Sequence, residues 1–245
     1  MTIKNLEILY QDKYLVAINK PSGLLVHRSP IARHETEFVI QILHHQLNQF
    51  VYPIHRLDKP TSGVLLLALN PDIAKELSKQ WSNTHKYYQA VCRGLAPEYT
   101  VIDHPITTKL EPGDRFISPK TQPAQTIITR EHARSLNVGF GRQAKHYPHT
   151  TFSLVNAELV TGRKHQIRKH LKHINHPIVG DTQYGKGDIN RYFRRHYQIY
   201  RLMLHCHLLI FKHPIGNQFI EIHATVDATW QYLLTSLFNI SDSYL

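Results

Sequence analysis

The unbroken apolar run "VLLLALN" (64–70) constrains this chain more than any other segment. Six consecutive apolar residues, too few for a helix of ordinary length, read as a buried core strand. Asn70-Pro71-Asp72 closes it with a capping side chain, a proline suited to the first helical position and an acid for the first turn. Ile73, Leu77 and Trp81 then recur at helical spacing. Immediately before the strand stands "HRLDKPTSG" (55–63), which sets Arg56 and Asp58 in a loop stiffened by Pro60 and a Thr-Ser-Gly turn. A loop aspartate of this kind is ordinarily a turn or capping residue. At the head of a core strand it is also well placed to act as a nucleophile, provided a guanidinium keeps it ionised and oriented. Arg56 and Arg168 are the two arginines that could do so.

The remaining pattern predicts strands at 6–10 and 14–18, a helix at 37–48 from Phe38, Ile42, Leu43 and Leu47, and a strand at 85–94. Residues 103–124 read as loop, "AQTIITRE" (124–131) as strand, and 132–150 as a solvated basic loop. A strand at 151–160, a helix at 163–174, strands at 201–211 and 219–223 and a helix near 227–238 complete the chain. Strands outnumber helices without alternating regularly with them, which favours an α+β fold on a mostly antiparallel sheet.

At 245 residues the chain is long enough for a substantial core. With 42% hydrophobic and 19% charged residues, its composition is that of neither a disordered nor a membrane-spanning chain. No stretch approaches the roughly 20 apolar residues of a transmembrane helix, and the alternating N-terminus lacks the apolar core of a signal peptide. Two cysteines, Cys92 and Cys206, make no disulfide framework and fit a reducing cytoplasm. Lysine and arginine (29) exceed aspartate and glutamate (18) by 11, which points to a polyanionic partner.

Several motifs admit both a chemical and an ordinary structural reading. "GDTQYGKG" (180–187) approaches a phosphate loop, but Gly187 replaces the hydroxyl that would hold Mg²⁺, no buried strand precedes it, and no helix is expected after it. In "RKHQIRKHLKHINH" (163–176) four histidines invite a metal reading. The interleaved Lys164, Arg168, Lys169 and Lys172 would repel a dication, and a basic helix face turned toward phosphates explains the same residues. "NRYFRRHY" (190–197) mixes cations with aromatic rings that could stack on bases. No Gly-x-Ser-x-Gly elbow is present, and two-histidine acid–base catalysis, as in a ribonuclease, stays open.

Six segments, in order, resemble the RluA family of pseudouridine synthases: "NKPSGLLVH" (19–27), "HRLDKPTSG" (55–63), "KYYQAV" (86–91), "TGRKHQIRKHL" (161–171), "HPIVGDTQYG" (176–185) and "RLMLHCHLL" (201–209). The resemblance implies one catalytic domain over 1–245, with no separate N-terminal RNA-binding domain. It also implies a central mixed, mostly antiparallel sheet with flanking helices. It assigns Asp58 as the nucleophile toward a flipped-out uridine, Tyr88 as the residue packing against the base, and Arg168 as the salt-bridge partner of Asp58. Arg56 would fill the gap left in the RNA stack, Ile167 and Leu204 would wall the pocket, and Arg163, Lys164 and Lys169 would meet the RNA backbone. The expected chemistry needs no metal, nucleotide or other cofactor. The "QPAQT" segment (122–126) and compact length point within the family to an enzyme acting on uridine 65 of transfer RNA, expected to be cytoplasmic and monomeric. Ribosomal RNA, another transfer-RNA position and a non-catalytic RNA-binding role are the alternatives.

Overall fold

The computed structural model describes residues 5–27, 36–107, 120–142 and 144–240. In chain order the strands and helices are β1 (Glu7–Gln11), β2 (Leu15–Lys20), α1 (Val39–Leu47), β3 (Tyr52–Pro53), β4 (Ser62–Ala68), α2 (Pro71–Gln80), β5 (His85–Arg93) and β6 (Tyr99–Asp103). There follow β7 (Ile106–Thr107), β8 (Thr121–Gln122), β9 (Gln125–Leu136), β10 (Thr150–Leu159), α3 (Gln166–His173), α4 (Gly187–Tyr197), β11 (Leu204–Lys212), β12 (Phe219–His223) and α5 (Ala228–Leu233). The class is α+β, with helices flanking mixed-order sheet. The chain falls into two compact units: Met1–Lys86, Thr107–Gln122 and Cys206–Ala224 form one, and Tyr87–Ile106, Pro123–His205 and Thr225–Leu245 form the other.

In the first unit the strand order is β1-β2-β4-β11, with β3 also on β4 and β12 on β11. The pairs β1–β2, β2–β4, β3–β4 and β11–β12 are antiparallel. All seven residues of β4 are buried, as its unbroken apolar run requires of a strand with neighbours on both sides. The Asn70 side chain accepts the Ile73 N–H at 2.9 Å, Pro71 opens α2, and Ile73 and Leu77 face the core. Helix α1 buries Val39, Ile42 and Leu43.

The second unit carries the order β5-β10-β9-β6, again antiparallel throughout. Residues 132–150 are not all loop: β9 runs to Leu136 and pairs with β10, Thr150 lying opposite Leu136. Residues 131–135 are each solvent-exposed although their β10 partners Phe152, Ser153 and Leu154 are buried, so the backbone ladder holds them and no apolar alternation marks the strand. A helix, α4, does follow Gly187, burying Ile189 and Phe193 at i, i+4. The stretch 103–124 contains β7 and β8 rather than loop alone, while its part at 108–119 lies outside the described residues. Strand β6 was not anticipated.

Glycine is required at Gly63, at the start of β4. Its φ is +110°, and a Cβ there would lie 2.1 Å from the backbone oxygen of Cys206. Gly63→Ala is expected to destabilise the protein by at least about 2 kcal/mol through combined strain and clash. Urea or thermal unfolding of the purified variant measures it; unchanged stability would contradict this packing.

Candidate functional site

The first group of site residues lies in the loop between β3 and β4. Arg56 is exposed, Leu57 buried and Asp58 half-buried, so the apolar residue anchors the loop between two charged ones. The loop is tied down by the "NKPSG" segment. Lys20 is fully buried, and its ammonium donates to the carbonyl oxygens of Pro21 (2.8 Å), Leu24 (2.8 Å) and Lys59 (3.3 Å). Gly23 N–H donates to the Lys59 oxygen at 2.8 Å, and Ser22 Oγ donates to that of Pro60 at 2.7 Å. Thr61 N–H closes a turn on the Asp58 carbonyl at 3.0 Å. The aspartate is therefore flanked by backbone held at both ends.

His55, the first residue of the motif, is part of the framework. Its Nε2 accepts the Leu66 N–H at 3.0 Å, which requires an unprotonated nitrogen, and its ring stacks on Trp81 at 4.7 Å. Although the residue keeps some exposure, burial of the ring pushes its pKa down to about 3, with the nearby Lys86 ammonium acting in the same direction.

The second group is built around α3. Its lead-in loop is organised by Gln166, which is buried. The Gln166 Oε1 accepts from Thr161 Oγ1 at 2.8 Å and from Arg163 N–H at 3.0 Å. Its Nε2 donates to Gln125 O and Thr126 Oγ1, both at 2.9 Å. Arg163 Nε also donates to the Pro123 carbonyl at 3.1 Å. His165 enters the helix at φ +57°, a left-handed conformation that turns the chain sharply.

Arg168 is buried to 5% exposure and forks onto Asp181: Nε donates to Oδ2 at 2.8 Å, and Nη2 to Oδ1 at 2.9 Å. Burial alone would raise the Asp181 pKa. The Arg168 fork and the N–H groups of Tyr184 and Gln183, both at 2.9 Å from Oδ1, outweigh it and hold the carboxyl below its ordinary range. The Tyr184 ring lies 5.0 Å from the Arg168 guanidinium carbon. Nothing in the sequence marks Asp181, since "GDTQYGKG" reads there only as an incomplete phosphate loop. An aspartate thirteen residues from its arginine has no local signature.

The expected pocket residues Tyr88 on β5, Ile167 on α3 and Leu204 at the start of β11 are all buried in the second unit. Lys164 and Lys169 are half-buried. The histidines that invited a metal reading have other engagements: His170 Nε2 donates to the His104 carbonyl while Nδ1 accepts from Thr126 Oγ1, both at 2.9 Å. Chiefly by burial, the His170 pKa is lowered. His176 Nδ1 meets the Arg93 carbonyl at 2.9 Å, and His165 Nδ1 meets the Tyr184 hydroxyl at 3.0 Å.

Comparison with known proteins bears on these residues. A family model described as RNA pseudouridylate synthase matches residues 14–173. The chain is 48% identical over 232 residues to tRNA pseudouridine synthase C of Pasteurella multocida, covering 94% of this chain and 95% of that protein. It is 46% identical over 236 residues to tRNA pseudouridine synthase C of Vibrio cholerae, with 94% and 95% covered. Among solved structures, human RNA Pseudouridylate Synthase Domain Containing 1 superposes with a TM-score of 0.69 at 23% identity, covering 94% of this chain and 89% of that one. Human RNA Pseudouridylate Synthase Domain Containing 4 gives 0.68 at 24% identity, covering 93% and 91%. At those identities the likeness to the solved structures is one of fold.

Two outcomes follow from the geometry. Asp181→Ala leaves the Arg168 guanidinium buried without its fork and should cost about 3–5 kcal/mol of stability, measured by urea unfolding. His55 takes up its proton in the unfolded chain near pH 6.5 but in the fold only near pH 3. Its contribution is therefore complete above about pH 6.5 and is lost as pH falls toward 3. The unfolding midpoint of His55→Gln, followed across pH 7 to 4, should fall less steeply than that of the wild type; parallel curves would refute the assignment.

Proposed function

The chain belongs to the RNA pseudouridylate synthase family, whose members are isomerases, and on that premise we propose that it converts a uridine of transfer RNA, at position 65, to pseudouridine with Asp58 as nucleophile. The observation that carries this reading is 48% identity to a tRNA pseudouridine synthase C across 94% of the chain. The stiffly held Asp58 loop and the buried Arg168 support it.

The chemistry asks for particular services from these side chains. The N1–C1′ bond of the uridine breaks, the base turns, and C5 bonds to C1′; the C5 proton is lost and N1 gains one, so atoms and electrons balance. Asp58 supplies the carboxylate that reacts with the nucleotide. Arg168, held in a fixed plane by Asp181, is the cation proposed to keep that carboxylate ionised and oriented. Buried Tyr88, Ile167 and Leu204 give the base an apolar enclosure, and Tyr88 is suited to assist loss of the C5 proton. A uridine in a stem must first leave the stack, which costs a few kcal/mol. The exposed Arg56 can occupy the vacated space, while Arg163, Lys164 and Lys169 offset part of that cost through phosphate contacts. The buried thiols of Cys92 and Cys206 suit a reducing cytoplasm, and the reading takes the chain as a monomer with one catalytic domain.

Asp58→Asn should lower the rate of pseudouridine formation in transcript tRNA by at least about 10³-fold while keeping the RNA affinity and unfolding midpoint of the wild type. Nucleoside mapping of the product locates the modified position. A fully active variant would overturn the nucleophile assignment, and pseudouridine elsewhere than position 65 would overturn the site.

A further inference from the structure

Two clefts in the second unit are lined by none of the residues assigned above to the uridine, and Arg93 lines both. The first, of about 240 Å³, is cationic: Arg93, Lys172 and Lys186 surround it, with Asn175 and Tyr184 between them. The second, of about 360 Å³, is aromatic and lies against the segment 137–149: Phe140, Tyr147, His149 and Leu95 line it with Arg93. Among the described residues no aspartate or glutamate lines either one.

The aromatic cleft has a built floor and an open face. Phe140 is wedged edge-on against Tyr192 (5.3 Å) and Phe152 (6.3 Å), which fixes the loop to α4 and the sheet of this unit. His149 Nδ1 meets Asn137 Oδ1 at 3.0 Å, joining the two ends of the loop. Above this floor Tyr147 is 66% exposed and Leu95 59% exposed. A lone exposed apolar residue needs no explanation; two beside an arginine, in a cleft of ligand size, do.

Charge complementarity selects the occupant. Three cations without an acid favour a polyanion, and the aromatic face at one end favours a polyanion that carries planar bases. Position along the chain suits the same molecule. Arg93 stands five residues beyond Tyr88 on β5, about 17 Å at the usual strand rise. Lys172 stands one turn beyond Arg168 on α3, about 6 Å along its axis. An RNA whose uridine occupies the pocket would reach the clefts with nucleotides a few steps away.

We propose that Arg93, Lys172, Lys186 and Tyr147 form a second RNA-binding surface, outside the uridine pocket, which holds phosphates in the cationic cleft and stacks one nucleobase on Tyr147. The proposal rests on the reading that this chain acts on RNA, and it locates where part of the RNA beyond the modified nucleotide is held. Segment 137–149, which none of the family-like motifs includes, thereby acquires a role in choosing the substrate.

The test uses the full chain with unfractionated tRNA, reading equilibrium affinity as a function of salt and, in parallel, pseudouridine formation. Tyr147→Ala should weaken binding about 10-fold, with the loss falling on KM rather than kcat, and Tyr147→Phe should restore it. Lys186→Ala should reduce the slope of log affinity against log salt by about 1. Affinities of Tyr147→Ala and Lys186→Ala within twofold of the wild type overturn the surface, and a Tyr147→Phe variant as weak as Tyr147→Ala overturns the stacking. If these losses occur but the wild type forms no pseudouridine, the isomerase reading fails while the binding surface stands, so the two failures are distinguishable.

Discussion

The second unit depends on a guanidinium withdrawn from water. Arg168 and Asp181 are both almost fully buried, and taking two such charges out of solvent costs several kcal/mol each before they meet. The pair is tolerable because its geometry is complete. Two parallel hydrogen bonds join the ions, and two backbone N–H groups satisfy the remaining demand of the carboxylate. A buried pair of this kind adds little stability over an apolar substitute of equal volume, but it fixes where a planar group points. Residues 180–185 are then shaped around the carboxylate. Asn190 Nδ2 donates to the Asp181 carbonyl while its Oδ1 accepts the Gly180 N–H, both at 2.9 Å, so the start of α4 is tied to the same turn. Gly180 has no alternative, since a Cβ there would lie 1.8 Å from the Arg201 carbonyl oxygen.

The first unit solves a parallel problem with a different cation. Three carbonyl oxygens from two loops converge on the Lys20 ammonium. An ammonium is suited to this because its donors rotate freely and three acceptors can approach from different chains, whereas a guanidinium would impose a plane. Its consequence is mechanical: the Pro21–Leu24 and Lys59–Pro60 segments share one centre, and the aspartate between Leu57 and Lys59 inherits their rigidity. Both units thus spend a buried cation on holding a loop in place.

What could be read from the sequence divides along the same physical line. Features set by near neighbours were legible: the apolar run of β4, the Asn70 cap and Pro71 start of α2, and the helical line Ile167–Leu171 of α3. Features set by distant partners were not. Along β9 beyond residue 130 successive residues are exposed, so polarity carries no alternation to read. Helix α4 opens with a glycine and is otherwise crowded with arginines, which masked the Ile189–Phe193 pair. In the candidate site, motif order drew attention to the right stretches but not to the framework within them. His55, Lys20, Gln166 and Asp181 act through hydrogen bonds to residues 11, 39, 41 and 13 positions away. No period or cap announces such a contact.

This division also changes the meaning of the excess positive charge. Counted along the sequence, an excess of 11 suggests a uniformly basic surface facing a polyanion. Among the described residues the cations range from buried to exposed, with Arg93, Arg163, Lys164 and Lys169 half-buried between the extremes. Lys20, Lys86 and Arg168 are buried, with hydrogen bonds to carbonyl oxygens or to Asp181, and contribute little field outside the molecule. Arg56, Lys172, Lys186, Arg191, Arg194 and Arg195 are exposed. The fully buried ones cannot exchange condensed counterions for phosphates, so the salt dependence of RNA binding is set by a subset of the formal charge. The buried ones do a separate job that a polyanion cannot see. A chain can therefore be strongly basic for two unrelated reasons, and only placement in the fold tells them apart.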